Sequence, residues 1–169
     1  MKRIAIAGCA HIHTPNFVKT LKERKDLQVA GVWDHDSLRA RENAEILNTQ
    51  GYDSDTEIWN DPSIDAVVIC AETNRHKELV LRAAEAGKHM FVEKPLGFAA
   101  KDALEMADAI EKAGVLFQTG YFMRGNPVHL FLKQQIEAGA FEDCSNLVTI
   151  YFTGDAPEMD ANMLSGTYF

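Results

Sequence analysis

The feature that most constrains the fold of this chain is a regular alternation of apolar segments with amphipathic helical patterns. Five apolar segments have the length of a strand: Ile4 to Gly8, Leu27 to Trp33, Ala66 to Cys70, His89 to Val92 and Val115 to Gln118. The segment from Ala66 to Cys70 is apolar throughout, as expected of a strand covered on both faces. Because strands that alternate with helices are joined by right-handed crossovers, we expect an α/β fold with a doubly wound parallel sheet.

Helical patterns fill the intervals between these strands. The first predicted helix begins at about Pro15, the second runs from an N-cap at Ser37 to Leu47, and a short turn or helix spans Asp55 to Trp59. The next helix stops at Gly87 and has an apolar stripe formed by Leu79, Val80, Ala83 and Ala84. The last passes through Leu104, Ala107 and Ile110 and ends at Gly114. Each predicted helix therefore separates two predicted strands or leads into the next one.

The pattern changes after residue 120. Asn126 and Pro127 open another helix, and Leu147 to Thr153 alternates between apolar and polar residues as a half-buried strand does. We therefore expect a first domain at residues 1–120 and the beginning of a second domain at residues 121–169.

Charge and composition limit the classes of partner. The net charge is −8 and the isoelectric point is about 5.2, which argues against nucleic acids and anionic membranes. No apolar run approaches the roughly 20 residues that a membrane span requires. The three cysteines, Cys9, Cys70 and Cys144, are scattered and lack metal-ligand spacing, so we expect a reducing cytoplasm and interpret Cys9 and Cys70 as small buried apolar side chains.

The loop after the first strand, Gly8 to His13, lies where a dinucleotide-binding fingerprint places its glycines. Gly8 supplies the tight turn, whereas Ala10 and His13 stand in place of the second and third glycines. The amides at the start of the following helix still offer an anion site. We expect Gly8, Ala10, His11, Ile12 and His13 to contact the coenzyme.

Asp34 follows the second strand, about where an acidic side chain binds the ribose diol of a dinucleotide. Its carboxylate would repel a 2′-phosphate, so NAD is favoured over NADP. The alternative for Asp34 is a solvated strand end or a helix cap.

The pair His11 and His13 leaves a second interpretation open. A His-x-His sequence after a first buried strand also begins many metal-dependent hydrolases, in which the imidazoles bind zinc. Further ligands are needed, and the candidates lack a convincing pattern: His35, Asp36, His76 and His89. We therefore expect no metal site and rank hydrolysis below nucleotide binding.

Glu93-Lys94-Pro95 is the strongest functional signal in the chain. It ends the predicted strand from His89 to Val92, and the carboxyl ends of parallel strands border the crevice in which open α/β sheets bind ligands. Pro95 fixes its own φ and restricts Lys94. Lys94 is therefore predicted to point into the crevice rather than to lie on the surface.

Several segments together resemble the glucose–fructose oxidoreductase, inositol dehydrogenase and MocA (Gfo/Idh/MocA) family over roughly residues 3 to 153. The matching segments are Ile4 to Gly8, Ala71 to His76, Ala84 to Leu96 and Gly120 to Pro127. The run Glu85-Ala86-Gly87-Lys88-His89, followed by Glu93-Lys94-Pro95, is specific, whereas the first loop alone is not. The resemblance implies a Rossmann-type first domain and a second domain of α+β type.

The resemblance also implies roles for individual residues. Thr73, Asn74 and His76 would border the dinucleotide, Glu93 would contact the nicotinamide ribose, and Lys94 would touch the substrate hydroxyl. Turn chemistry and helix capping are the alternative for Thr73 and Asn74. A cationic nicotinamide ring beside Lys94 disfavours a second positive charge, so its amine could accept or steer the hydroxyl proton.

Arg124 would line the substrate side, although a structural salt bridge is about equally compatible. In the family the second domain supplies further catalytic residues, an Asp and a His, but neither Asp155 nor Asp160 is followed by a histidine. We therefore expect the 169 residues to be a fragment that binds NAD but turns over poorly or not at all.

The resemblance implies an NAD(P)-dependent oxidoreductase that acts on a sugar, an inositol or a related polyol and forms a homo-oligomer at full length. A non-catalytic NAD-binding module stays open as the alternative, because it shares every feature up to Val92.

Overall fold

The computed structural model describes residues 1–139, which belong to two compact units, residues 1–123 and the residues from Arg124 onward. The elements of the first unit are β1 (Lys2–Ala7), α1 (Thr14–Glu23), β2 (Leu27–Trp33), α2 (Ser37–Ile46), β3 (Gln50–Gly51), α3 (Thr56–Trp59), β4 (Ala66–Ile69), α4 (Thr73–Glu85), β5 (His89–Val92), α5 (Ala100–Ala113) and β6 (Phe117–Thr119). A 3₁₀ helix at Phe122–Gly125 precedes α6 (Pro127–Glu137).

All six strands form one parallel sheet in the order β3-β2-β1-β4-β5-β6. The chain moves outward from β1 to β3, returns to β4 on the other side of β1, and then continues to β6. This reversal between β1 and β4 is the switch point at which doubly wound sheets bind ligands. The predicted Rossmann-type α/β fold is therefore confirmed.

The core lies on both faces of the sheet because the side chains of a strand alternate between them. In β1, Ala5 and Ala7 belong to the larger apolar cluster, whereas Ile6 packs with Val18 of α1 in a second cluster. The stripe predicted for α4 is buried as expected, with all four of its side chains at most 4% exposed: Leu79, Val80, Ala83 and Ala84. Helices thus cover both faces, as the continuous apolar strands predicted.

Three details differ from the sequence predictions. Ser37 is not the N-cap of α2: Asp36 is, and its carboxylate accepts from the backbone N–H groups of Leu38 and Arg39. The two-residue strand β3 was not predicted. In α5, Leu104 is 64% exposed and Met106 is the fully buried residue, because the core-facing side of the helix, which packs against α4, is rotated from the predicted stripe.

The described part of the second unit consists of helix α6 and its flanks. The helix begins where the sequence predicted, since the Asn126 side chain accepts from the backbone N–H of Val128. The predicted strand at Leu147 to Thr153 lies outside the described residues. Within residues 1–139, the helices are too short or too polar to cross a membrane.

Candidate functional site

The candidate site lies at the carboxyl edge of the sheet, where the loops after β1, β4 and β5 meet. These strands are neighbours in the sheet, so their following loops are adjacent although Gly8 and Lys94 are far apart in sequence. His11 Nε2 in the first loop lies 3.4 Å from Lys94 Nζ after β5. The first turn and the lysine-bearing turn therefore form one site.

Gly8 allows the first loop to approach the loop after β4. Its φ is +88°, a region that L-residues with side chains rarely adopt. A Cβ at Gly8 would lie 2.4 Å from Ala71 Cβ and 2.7 Å from Ala71 Cα, so a side chain cannot fit without moving backbone. The cradle at the switch point therefore requires glycine here.

The start of helix α1 is closed by backbone rather than side-chain hydrogen bonds. His13 is its N-cap residue and makes no side-chain capping hydrogen bond, but the N–H groups of Thr14 and Asn16 donate to the carbonyl oxygens of His11 and His13. An anion at this end would therefore interact mainly with the positive end of the helix dipole. Ala10 is half-buried and Ile12 is 72% exposed beside this helix end. The loop is held in place by a hydrogen bond of 2.8 Å from the His11 N–H to the Cys70 carbonyl oxygen.

Asp34 lies at the other end of this edge, after β2, and is only 3% exposed. Its carboxylate accepts from the backbone N–H groups of Cys9 and Asp36 and from both Nε and Nη2 of Arg39. Burial alone would raise the pKa of Asp34, but these hydrogen bonds outweigh burial and hold the pKa below its ordinary value. Asp34 is therefore a buried anion beside the first loop.

Arg39 is a site residue that the sequence analysis missed. Its Nε and Nη2 donate to the two carboxylate oxygens of Asp34 at 3.0 and 2.7 Å. Nη2 also donates to Glu72 Oε1, in the loop after β4, at 3.2 Å. Because a carboxylate offers about four lone-pair sites, the four hydrogen bonds to Asp34 leave little room for a ribose diol. Arg39 must shift for Asp34 to bind both hydroxyls. The signal in the sequence was an arginine five residues after the acidic strand end.

Glu93 is held rigidly at the end of β5, with 3% of its side chain exposed. Its carboxylate lies 3.0 Å from His13 Nδ1 and accepts from the Lys94 backbone N–H at 2.8 Å. Gly120, after β6, makes this placement possible, because a Cβ there would lie 2.8 Å from Glu93 Oε2. Gly120 is a second position whose importance the sequence did not reveal.

His11 lies between these groups. Its Nδ1 accepts from the His13 backbone N–H at 3.2 Å, and its Nε2 faces Glu93 Oε2 at 3.9 Å as well as the Lys94 ammonium. Burial lowers the pKa of His11, and the nearby Lys94 acts in the same direction, against the opposing effect of Glu93. The ring is therefore kept neutral next to Lys94 at neutral pH.

The other predicted site residues occupy different positions. Thr73 begins helix α4 and is half-buried, and Asn74 beside it is exposed. His76 is fully buried, and its ring nitrogens lie 2.9 Å from the Pro95 carbonyl oxygen and 3.0 Å from that of Ala71. His76 thus joins the loops after β4 and β5, with both ring nitrogens engaged by the protein. Arg124 belongs to the second unit, and its role on the substrate side stays a prediction.

The two described cysteines are structural. Cys9 and Cys70 are both buried and free. Burial raises the pKa of the Cys9 thiol to about 12, and burial also raises that of Cys70, so neither forms a reactive thiolate at neutral pH. This agrees with the sequence interpretation of both as small apolar side chains.

A dinucleotide fits these residues. Three features lie along one edge of the sheet in the order that a pyrophosphate and an adenosine ribose require. They are the close approach at Gly8 that only glycine allows, the start of α1 without a side-chain cap, and the buried anion Asp34. Glu93 and Lys94 lie on the far side of the first loop, where the nicotinamide end would be held.

Comparison with known proteins agrees with this geometry. Residues 2–121 match the family described as "Oxidoreductase family, NAD-binding Rossmann fold" (Gfo/Idh/MocA). The chain is 36% identical to the myo-inositol 2-dehydrogenase of Thermotoga maritima over 138 residues, which cover 81% of this chain and 41% of the relative. It is 32% identical to the NAD⁺-dependent scyllo-inositol 2-dehydrogenase of Bacillus subtilis over 141 residues, or 81% of this chain and 40% of that protein.

Solved structures show the same fold. An NAD-binding protein from Listeria innocua superposes with a TM-score of 0.68 at 28% identity, over 81% of this chain and 40% of that one. A 3-ketoreductase from Actinomadura kijaniata, crystallised with NADP, shares the fold with a TM-score of 0.71 at 22% identity, over 82% of this chain and 42% of that one. The chain spans about two fifths of the length of the curated relatives named above. The protein belongs to the Gfo/Idh/MocA oxidoreductase family, and residues 2–121 are its NAD-binding Rossmann domain.

Proposed function

We propose that this protein is an NAD(P)-dependent dehydrogenase that transfers hydride between the nicotinamide ring and a CH–OH group of a sugar, an inositol or a related polyol. One observation carries the proposal: in a chain of this family, Lys94 meets the first loop at the carboxyl edge of the sheet, 3.4 Å from His11. A lysine amine at that position would face the place where the coenzyme's redox end and the substrate meet.

The chain's own residues would orient the reactants and move one proton. When bound, NAD supplies the hydride acceptor. Glu93, fixed by two hydrogen bonds, would accept from a hydroxyl of the adjacent ribose. As a neutral amine, the form that a cationic nicotinamide ring beside it favours, Lys94 Nζ would take the substrate hydroxyl proton as the C–H bond breaks, and the neutral His11 ring next to it would keep that amine in place.

The substrate class is inferred from the relatives. Two of them are named as inositol 2-dehydrogenases, and another, from Lactiplantibacillus plantarum, as an inositol 2-dehydrogenase/D-chiro-inositol 3-dehydrogenase. We propose that residues from 121 onward begin a second, α+β domain, that Arg124 faces the substrate there, and that the full-length protein is a cytoplasmic homo-oligomer.

We also propose that NAD is preferred over NADP. A buried Asp34 with a lowered pKa would repel a 2′-phosphate. Arg39, however, lies in contact with Asp34 and could pair with that phosphate if it were released. The preference therefore depends on the Asp34–Arg39 ion pair.

Fluorescence titration with NADH and with NADPH tests both the coenzyme site and this preference. The wild-type chain is expected to bind NADH at least about tenfold more tightly than NADPH, since the carboxylate repels the extra phosphate. Asp34→Ser is expected to reverse the order, because it removes the repulsion and frees Arg39. Excitation of the two tryptophans, Trp33 beside Asp34 and Trp59, is expected to give an energy-transfer signal to bound nicotinamide.

The double variant Asp34→Ser/Arg39→Gln serves as the control. It should lose the NADPH binding gained by Asp34→Ser, while its thermal unfolding shows whether the fold survives. Failure of the wild-type chain to bind either dinucleotide would contradict the proposed coenzyme site. Tighter binding of NADPH than of NADH would contradict only the proposed preference.

A further inference from the structure

We propose that His11, His13 and Glu93 form a binding site for a divalent transition-metal ion of the zinc type, located in the coenzyme crevice. One ligand atom from each of the three side chains lies within 4.8 Å of the other two. Two imidazole nitrogens and one carboxylate oxygen are a donor set that zinc uses in sites with three protein ligands and an open fourth position.

The distances between the ligand atoms lie on both sides of the value that a tetrahedral zinc site requires. Zinc binds histidine nitrogen and carboxylate oxygen at about 2.0–2.2 Å, so neighbouring ligand atoms of a tetrahedral site lie about 3.4 Å apart. His13 Nδ1 and Glu93 Oε1 are 3.0 Å apart, and His11 Nε2 lies 3.9 Å from Glu93 Oε2. An ion between His13 and Glu93 would replace the hydrogen bond between them, and His11 would close on it by a side-chain rotation.

The carboxylate of the cluster is already positioned for a cation. Glu93 is 97% buried, so its negative charge is poorly solvated and gains from a positive partner. The Lys94 N–H and the packing of Gly120 against Glu93 Oε2 fix its orientation, as outer contacts do in metal sites. The sequence offered His35, Asp36, His76 and His89 as further ligands, whereas the structure brings in Glu93, 80 residues after His13.

Two features of the site oppose metal binding and limit its strength. His11 Nδ1 accepts from the His13 N–H, so the neutral ring carries its proton on Nε2 and must change tautomer to bind metal there. The Lys94 ammonium, 3.4 Å from His11 Nε2, repels a cation. Removal of the lysine charge should therefore strengthen metal binding by more than nonspecific association would gain, since one further unit changes a net charge of −8 only slightly.

Isothermal titration of the chain with Zn²⁺, and separately with Mg²⁺, tests the proposal directly. One Zn²⁺ is expected to bind per chain at this site, whereas Mg²⁺, which prefers six oxygen ligands, should not bind there. His11→Gln/His13→Gln is expected to weaken Zn²⁺ binding by at least about tenfold, since loss of direct ligands should cost no less than loss of their outer contacts. Lys94→Met is expected to tighten it by about tenfold or more.

His89→Asn is the matched control. His89 lies at the amino end of the same strand as Glu93, where Nδ1 accepts from the Leu116 N–H, a role that an asparagine oxygen can fill. It should bind Zn²⁺ as the wild type does. Unchanged Zn²⁺ binding in the double-histidine variant would overturn the proposal. So would a thiolate charge-transfer band when Co²⁺ replaces Zn²⁺, because it would assign the metal to cysteine.

A further consequence rests on the proposed function. Metal bound to Glu93 would occupy the place of the nicotinamide ribose, so Zn²⁺ should raise the apparent Kd for NADH in the wild type but not in the double-histidine variant. NADH binding that Zn²⁺ leaves unchanged would overturn the location of the metal. Complete absence of NADH binding would instead count against the proposed coenzyme site, and the Zn²⁺ titration alone would still decide the metal proposal.

Discussion

Replacement of Lys94 with Met in the full-length protein is expected to lower kcat for polyol oxidation by about 10²- to 10⁴-fold, the range that a positioned acid–base group contributes. The methionine keeps most of the side-chain volume but cannot accept the hydroxyl proton. The Kd for NADH should change by less than about tenfold, because Glu93, Asp34 and the start of α1 would still hold the coenzyme. Steady-state assays with a panel of inositols and sugars, paired with NADH titration, provide both quantities.

Lys101→Met is the control for this experiment. Lys101 is a lysine on helix α5 whose side chain is 85% exposed and whose ion pair with Glu105 is long, at 3.9 Å. Its replacement should leave kcat unchanged. A Lys94→Met enzyme that retains more than about a tenth of the wild-type kcat would remove Lys94 from the proton-transfer step. An inactive wild type that binds NADH would favour the alternative, a non-catalytic NAD-binding module.

Gly8→Ala is expected to destabilise the first domain by about 2–5 kcal/mol and to abolish measurable NADH binding. Two costs combine: a left-handed backbone costs an L-residue about 1–2 kcal/mol, and overpacking a tight site costs about 1–3 kcal/mol more. The overlap is with Ala71, whose Cα and N lie 2.7 and 2.8 Å from the new Cβ, so no side chain can rotate out of the way. Urea unfolding of the 169-residue chain measures the change.

Gly87→Ala measures the cost of the left-handed backbone without the cost of steric overlap. Gly87 also has a positive φ, +66°, but a Cβ there would meet no atom within 4 Å. This variant should lose only about 1–2 kcal/mol and should bind NADH normally. Equal stability of the two variants would show that the close approach of Gly8 to Ala71 is unimportant. A Gly8→Ala chain that fails to fold while Gly87→Ala folds would agree with the prediction.

Much of the first domain could be predicted because its signals are local. The strands at Leu27–Trp33 and His89–Val92 have the predicted bounds, since length and apolar runs define them. The sequence could not decide which of two adjacent residues caps helix α2. Asp36 and Ser37 are both good N-cap residues, and only the backbone geometry selects Asp36. The strand Gln50–Gly51 has two residues and owes its existence to pairing with Gly31 and Val32 rather than to its own sequence.

Some side-chain environments could not be predicted for a different reason. Lys88 belongs to a residue type that is almost always exposed, yet it is 4% exposed, and its ammonium donates to the carbonyl oxygens of Asp61 and Ile64. Its partners come from a loop 24 to 27 residues earlier in the chain. The role of Arg39 could not be predicted for the same reason, because it comes from contact with both Asp34 and Glu72.

The sequence by itself determined the order of strands and helices, the glycine turn after β1, the acidic end of β2 and the lysine after β5, because periodicity, turn chemistry and chain order are properties of neighbouring residues. Only the tertiary structure decided that His13 lies within hydrogen-bonding distance of Glu93 and that Arg39 donates to the Asp34 carboxylate. Those contacts join residues from different loops, and their distances follow from the twist and register of the sheet between them. A linear pattern does not contain that information.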